Sequence, residues 1–353
     1  MNTITKLILK ATGITFLIIG LILAWLIYDY KSTLSKPLNV DANGTSIQVK
    51  PGMSLRNIPG VLKKQGIDSS TFYFKLYAKF NKGANKIHVG EYSLKQGVTP
   101  LQLIDMLTSG KVTSYIITIV PGWTFKQMMA AIRKNKELTH KLTGLKPKEI
   151  MAKIGFPGVH PEGRFYPDTY KFPKGMTDID FLKRAYNVMD KFTQEQWAKR
   201  RPGIPLKSIY EALILASIVE RETGVPEERP IIAGVFTRRL IKGMKLQTDP
   251  TVIYGMGDKY KGNITRKDLR RPTPYNTYTI PALPITPIAM PSGEAIKAVL
   301  HPEKGKALYF VAKGNGAHYF SATLKEHNRA VKKYQLRRVK NYSSRHKGKA
   351  SKP

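Results

Sequence analysis

The first long apolar run of the chain, Ala11 to Tyr28, carries no charge. With Leu7 to Leu9 and a snorkelling Lys10 it reaches the roughly 20 residues that a helix needs to cross a bilayer. Trp25, Tyr28 and Tyr30 close the run as an interfacial aromatic belt would, and no small-residue cleavage site follows, so an uncleaved anchor over 1–31 is expected. A linker over 32–44 comes next. Period-two alternation at Ile47 and Val49 then predicts a strand, with further strands over 90–94 and 115–119. Each runs into a turn of Gly, one residue, then Ser or Thr, from which a short helix leaves: Gly52-Met53-Ser54, Gly97-Val98-Thr99 and Gly122-Trp123-Thr124. The hydroxyl residue is the predicted N-cap, and Pro100 takes a first helical position.

From Leu142 to Lys191 the periodicity is helical, interrupted at Pro161 to Tyr170 by an aromatic, Gly- and Pro-rich stretch that predicts an ordered loop or short strand. The centre of the chain is the helix ending at Gly224. Ala212, Leu213, Leu215, Ala216 and Val219 recur at helical spacing, and Glu220 falls on that same inward face. Gly224 and Pro226 are expected to stop the helix, Gly224 as a left-handed cap. A second helix is predicted over 227–242. Two polar loops are predicted over 246–255 and 271–278, and an extended segment with four prolines over 281–291. A helix over 293–300, a strand over 308–312 and a closing helix from Thr323 complete an α+β pattern.

At 353 residues the chain exceeds what one hydrophobic core usually organises, so two folded units are expected. Lys+Arg number 59 against 24 Asp+Glu, a formal net charge of +35 that suits a polyanion of some kind. No helix-turn-helix, zinc-finger spacing or aromatic RNA-binding signature accompanies that charge, so nucleic acid is not the expected partner. Cysteine is absent, which removes disulfides and cysteine metal sites, and no other cluster has metal-ligand spacing.

An acid on an apolar helix face has a structural explanation, a buried partner for Arg221, Arg229, Arg238 or Arg239, and a chemical one, a carboxyl aimed into a cleft. The residues around it decide between them by resemblance. Ala216-Ser217-Ile218-Val219-Glu220-Arg221-Glu222-Thr223-Gly224, then Glu228-Arg229, Leu246-Gln247-Thr248-Asp249-Pro250-Thr251-Val252-Ile253-Tyr254-Gly255 and Pro274-Tyr275-Asn276-Thr277-Tyr278 closely resemble the MltG/YceG family of endolytic murein transglycosylases. The likeness extends to Glu162-Gly163, Pro167-Asp168-Thr169-Tyr170, His318 and Glu326-His327-Asn328. It implies a single-pass anchor, a LysM-like α/β subdomain over 45–135 and a mixed α+β catalytic domain over 136–340. The repeated strand-turn-helix units also resemble LysM-like modules. The basic stretch over 341–353 falls outside the pattern and is expected to be a disordered tail.

By the resemblance Glu220 takes the catalytic position, no cofactor is implied, and the partners are peptidoglycan glycan strands, the membrane and the strand-polymerising synthases. The catalytic domain would stand in the periplasm, tethered to a bacterial inner membrane. Such enzymes manage with one carboxyl group, which protonates the glycosidic oxygen and then deprotonates the muramyl C6 hydroxyl that attacks the anomeric carbon. Gln247, Asp249, Tyr254 and Asn276 are the candidates for holding the glycan or orienting the acid, while Glu222 is expected to be structural or supporting. His318, a lone strand histidine, is left outside the expected site. A water-using muramidase with Asp249 as second carboxylate and a noncatalytic glycan binder are the alternatives.

Overall fold

The computed structural model describes residues 3–81 and 86–336, so the tail over 341–353 lies outside the described residues. The chain divides into two compact units, Met1–Tyr115 with Lys171–Met176, and Ile116–Tyr170 with Thr177 onward.

In the first unit α1 (Thr3–Ser35) contains a 26-residue stretch, Lys10–Ser35, long and apolar enough to cross a membrane. Its apolar side chains from Ile14 to Ile27 are exposed, whereas Leu34 near its end is buried in the unit. β1 (Thr45–Val49) pairs antiparallel with β2 (Gly90–Leu94), Ile47 opposite Tyr92. Between them lie a 3-10 turn at Leu55–Asn57, α2 (Ile58–Lys63) and α3 (Thr71–Phe80), and α4 (Pro100–Ser109) follows β2. Two of the three predicted hydroxyl caps form, at Thr99 and Thr124, whereas the Ser54 hydroxyl donates to Asn57 Oδ1 and caps no backbone N–H. The Thr99 hydroxyl accepts from the Gln102 N–H at 3.2 Å while Gln102 Oε1 accepts from the Thr99 N–H at 3.0 Å, a reciprocal capping box with Pro100 behind it. The alternation of β1 is realised as burial of Ile47 and Val49 against Leu55, Ile58, Phe74 and Tyr92.

β3 (Ser114–Thr118) and β4 (Thr169–Pro173) pair with each other, and the division between units falls inside both strands. The third Gly-x-Thr helix, α5 (Phe125–Lys134), therefore belongs to the second unit, where Phe125 stacks on Phe165 at 5.7 Å. After α6 (Pro147–Lys153) come α7 (Asp178–Ala198), α8 (Ile209–Glu222), α9 (Arg229–Ile241), α10 (Asp249–Met256), α11 (Arg266–Arg270) and α12 (Gly293–Leu300). β5 (Tyr309–Ala312) and β6 (His318–Ser321) form an antiparallel hairpin, and α13 (Leu324–Val331) follows. The core of this unit gathers Met189, Leu213, Ala216, Ile232, Phe236, Ile296 and Val299 from α7, α8, α9 and α12.

Three expectations are corrected. The stretch 246–255 is not a loop: Pro250, pre-set for a helical first turn, starts α10. The helix expected over 227–242 is a 3-10 turn at Pro226–Glu228 followed by α9. Gly224 does not take the left-handed conformation, since α8 ends instead in an extended Thr223 (φ −140°, ψ 139°). α8 is also less amphipathic than its pattern implies. Every residue from Ala212 to Val219 is buried, so it is a central helix covered on all sides.

Candidate active site

The end of α8 delivers two carboxylates to different surroundings. The Ser208 hydroxyl caps the start of α8 by accepting from the Glu211 N–H at 3.2 Å. Halfway along, the Ser217 hydroxyl donates to the Ile214 carbonyl at 2.7 Å and accepts from the Ile288 N–H at 2.9 Å. The proline-rich segment is thereby laid along the helix. Gly163 keeps it there: with φ at 74°, a Cβ at this position would stand 2.5 Å from Pro287 Cβ, so only glycine fits. The segment reaches Ser292, the N-cap of α12, where the Ser292 N–H donates to Glu220 Oε2 at 3.0 Å and the Ser292 hydroxyl donates to the same oxygen.

Glu220 is thus committed on both sides. Its other oxygen lies 3.7 Å from the guanidinium of Arg229, the first residue of α9, and its side chain is only 6% exposed. One carboxylate ties the starts of α9 and α12 to the end of α8. This is the Arg partnership that an acid on an apolar face has as its structural explanation.

Glu222 goes elsewhere. It lines a cleft of about 470 Å³ together with Arg239, Gln247, Asp249, Tyr278 and His318. The Thr248 hydroxyl donates to Glu222 Oε1. Burial lifts the Glu222 carboxyl to about 7, the Thr248 bond opposing the rise and the charge of Asp249 adding to it. A carboxyl that keeps its proton near neutral pH beside an open cleft can serve as a general acid and, once ionised, as a base.

The turn 246–248 beside Glu222 is held in place by its neighbours. Gln247 has φ of 53°, the only positive value outside glycine among the described residues, a costly backbone state that surroundings must enforce. Arg239 enforces it. Its Nη1 donates to the Leu246 carbonyl at 2.9 Å and the Lys245 carbonyl at 3.1 Å, and its Nε to the Leu308 carbonyl at 2.7 Å. The Gln247 N–H adds a 3.1 Å bond to the Thr277 carbonyl. Gln247 and Asp249 are left exposed, and Tyr278 donates its hydroxyl proton to Asp249 Oδ1 at 2.7 Å.

His318 is the cleft residue that the sequence pattern passes over. Its N–H donates to Glu228 Oε1 at 2.6 Å and its Nδ1 lies 2.7 Å from Glu228 Oε2. The Thr223 hydroxyl donates to the same Oε2 at 3.0 Å. Burial works against the charge of Glu228, but these donors hold it below the usual carboxylate range. The signal for this pairing was the acid of Glu228 and the histidine of β6, 90 residues apart, which no local spacing connects.

Of the six expected site residues, the structure brings Glu222, Gln247 and Asp249 together. Tyr254 and Asn276 point away from that cleft. The Tyr254 hydroxyl donates at 2.9 Å to Glu162 Oε2, a buried carboxyl lifted by desolvation to about 7, whose Oε1 accepts from the Phe125 N–H. Asn276 is 1% exposed and donates to the carbonyls of Asp268, Leu269 and Arg271.

Residues 47–333 match the model of the YceG-like family. The chain belongs to the YceG-like family. This YceG-like chain is 35% identical over 332 residues to the endolytic murein transglycosylase of Bacillus subtilis, covering 86% of its own length and 89% of the relative's. It is 26% identical over 365 residues to the endolytic murein transglycosylase of Streptococcus pneumoniae, and there it spans 91% of itself but 65% of the relative. Among solved structures, a yceG-like protein of Listeria monocytogenes aligns with a TM-score of 0.53 at 28% identity, over 82% of this chain and 99% of that one.

Proposed function

We propose that this YceG-like protein is an endolytic lytic transglycosylase of murein strands and that Glu222, rather than Glu220, is its general acid and base. The observation that carries the assignment is the contrast at the end of α8. Glu220 is bound by Ser292 and faces Arg229, while Glu222 borders the cleft with a carboxyl lifted to about 7. Protonated Glu222 donates to the glycosidic oxygen between MurNAc and GlcNAc as the anomeric bond breaks. Its carboxylate then takes the proton of the muramyl C6 hydroxyl, whose oxygen attacks the anomeric carbon and closes a 1,6-anhydro ring. No water is consumed. The exposed Gln247 and Asp249 offer the amide and carboxylate that hold sugar hydroxyls, on a turn fixed by Arg239.

The apolar α1 supports a single-pass membrane anchor, while its placement in the inner membrane with the catalytic unit in the periplasm rests on the family resemblance alone. The order β1, α2, α3, β2 supports a LysM-like, glycan-holding role for the first unit. A partnership with strand-polymerising synthases rests on the family resemblance alone.

Mass spectrometry of fragments released from purified peptidoglycan by the detergent-solubilised chain tests the chemistry and the residue together. Anhydro-muramyl ends are expected from the unsubstituted protein. Glu222→Gln should lower their rate by about 10²-fold or more. Glu220→Gln should instead lower stability by roughly 1–3 kcal/mol, through the orphaned Ser292 and Arg229 partners, and keep activity per folded molecule. Reducing ends would replace the lyase by a hydrolase that uses Asp249. Loss of cleavage in folded Glu220→Gln with full activity in Glu222→Gln would return the acid to Glu220.

A further inference from the structure

α10 connects the cleft to a second cavity. Asp249, its first residue, lines the cleft, while Gly255 and Met256 in its last turn line a separate cavity of about 590 Å³. Seven helical rises of ~1.5 Å put Asp249 and Met256 about 10 Å apart, and Val252 between them also lines the second cavity. The segment after α11 makes the same link, since Asn276 lines the second cavity and Tyr278 the first.

The second cavity is basic. Lys259, Lys261 and Arg271 line it, and Arg266, Lys267 and Arg270 carry the charge onto the adjoining surface. Among the described residues none of these six forms an ion pair. Asp268 also lines the cavity and feels the charges of Arg271 and Lys267, as Asp258 feels that of Lys261, but the hydrogen bonds of both carboxylates go to other residues. Asp268 caps α11 by accepting the Thr265 N–H at 2.9 Å and hydroxyl at 2.6 Å, and Asp258 is gripped by Lys126 at 2.7 Å. The frame is fixed as well, because the three bonds from Asn276 to the carbonyls of Asp268, Leu269 and Arg271 hold the end of α11 in place.

We propose that this cavity is a subsite for the carboxylates of the peptides carried by a murein strand lying in the cleft. The inference rests on murein as the substrate. In such a strand the lactyl carboxyl of each peptide-bearing muramic acid is consumed in the amide bond to its peptide, so the anionic groups are the carboxylates of the peptide branches. Cations outside any ion pair, about one short helix from Asp249, recognise those groups. An anion on a membrane lipid shares the chemistry, but the walls common to cavity and cleft favour the strand itself.

The test measures affinity without turnover, using the full chain in detergent with Glu222→Gln, for soluble strand fragments that keep their peptides and for fragments stripped of them, with the freed lactyl carboxyls capped as amides. Peptide-bearing fragments should bind about five-fold or more tightly, and added salt should shrink the gap. Lys259→Gln, Lys261→Gln and Arg271→Gln combined should abolish it without changing affinity for stripped fragments. Lys259→Arg with Lys261→Arg should restore it, which separates lost charge from a damaged fold. Equal affinity for both fragments, or a gap that survives the triple substitution, overturns the proposal. So does a triple variant that loses only its binding to vesicles of anionic lipid, which would give the cavity to the membrane. The ends released by the protein with Glu222 restored are scored separately. An absence of anhydro ends counts against the reaction, while the affinity gap alone decides the subsite.

Discussion

A single residue, Arg221, separates Glu220 from Glu222, and the difference between them shows how far periodicity reaches. Helical spacing correctly placed Glu220 on an inward face. The spacing was blind to what waits there, because Ser292 and Arg229 come from the starts of other helices. Glu222 is the last residue of α8, where the extended Thr223 redirects the chain, so a helical wheel had no authority over its direction. The consequence is measurable as a pH profile. A carboxyl at about 7 is mostly protonated below that pH and mostly ionised above it. With Glu222 as the acid of the first step, kcat/KM should be level below about pH 7 and fall about ten-fold per unit well above it. Asp249→Asn removes a charge that raises the Glu222 value, so the break should move to lower pH. A rate that still rises between about pH 7 and 9 would exclude a protonated Glu222 as the acid.

At the scale of elements, the capped helices and the hairpin strands were legible because their signals are local. Thr99 with Gln102, and Thr124 with Gln127, sit three residues apart, and α12 begins and ends where its pattern predicts. The misread elements had local signals that pointed the wrong way. The amides and hydroxyls of 246–255 resemble a loop, but Thr248 and Thr251 spend theirs within the fold, on Glu222 and the Thr248 carbonyl. The clamp at the end of α8 is the other illegible element. Glu228 joins Thr223, directly after Glu222, to His318 of β6, so it fixes the path on which Glu222 leaves the helix. Glu228→Gln replaces an acceptor by a donor facing His318 and should cost roughly 1–3 kcal/mol of stability. As a positioning residue it should also lower kcat several-fold with little change in KM for strands. A merely structural role would leave kcat per folded molecule unchanged.

The described residues include one helix long and apolar enough to cross a membrane, and the chain has a formal charge of +35; these two features would attach it to a bilayer by different physics. An anchor at α1 would hold by burial of apolar side chains, which salt does not weaken. The charge acts through screened attraction, worth about 1 kcal/mol for each Lys or Arg near an anionic lipid surface, and its range contracts from ~10 Å at 0.1 M salt to ~3 Å at 1 M. Removing α1 should therefore convert a salt-resistant association with vesicles into a salt-sensitive one. The cut must respect the fold. Leu34 is 2% exposed inside the first unit and Asp29 accepts a hydrogen bond from Tyr73, so a chain beginning at Lys36 would lose both contacts, whereas one beginning at Asp29 keeps them. The Asp29-initiated chain should sediment with vesicles of anionic lipid at low salt, release across a series to about 1 M, and ignore neutral vesicles. Release curves that do not move with salt would mean that the excess positive charge faces something other than the bilayer, leaving α1 as the sole membrane contact.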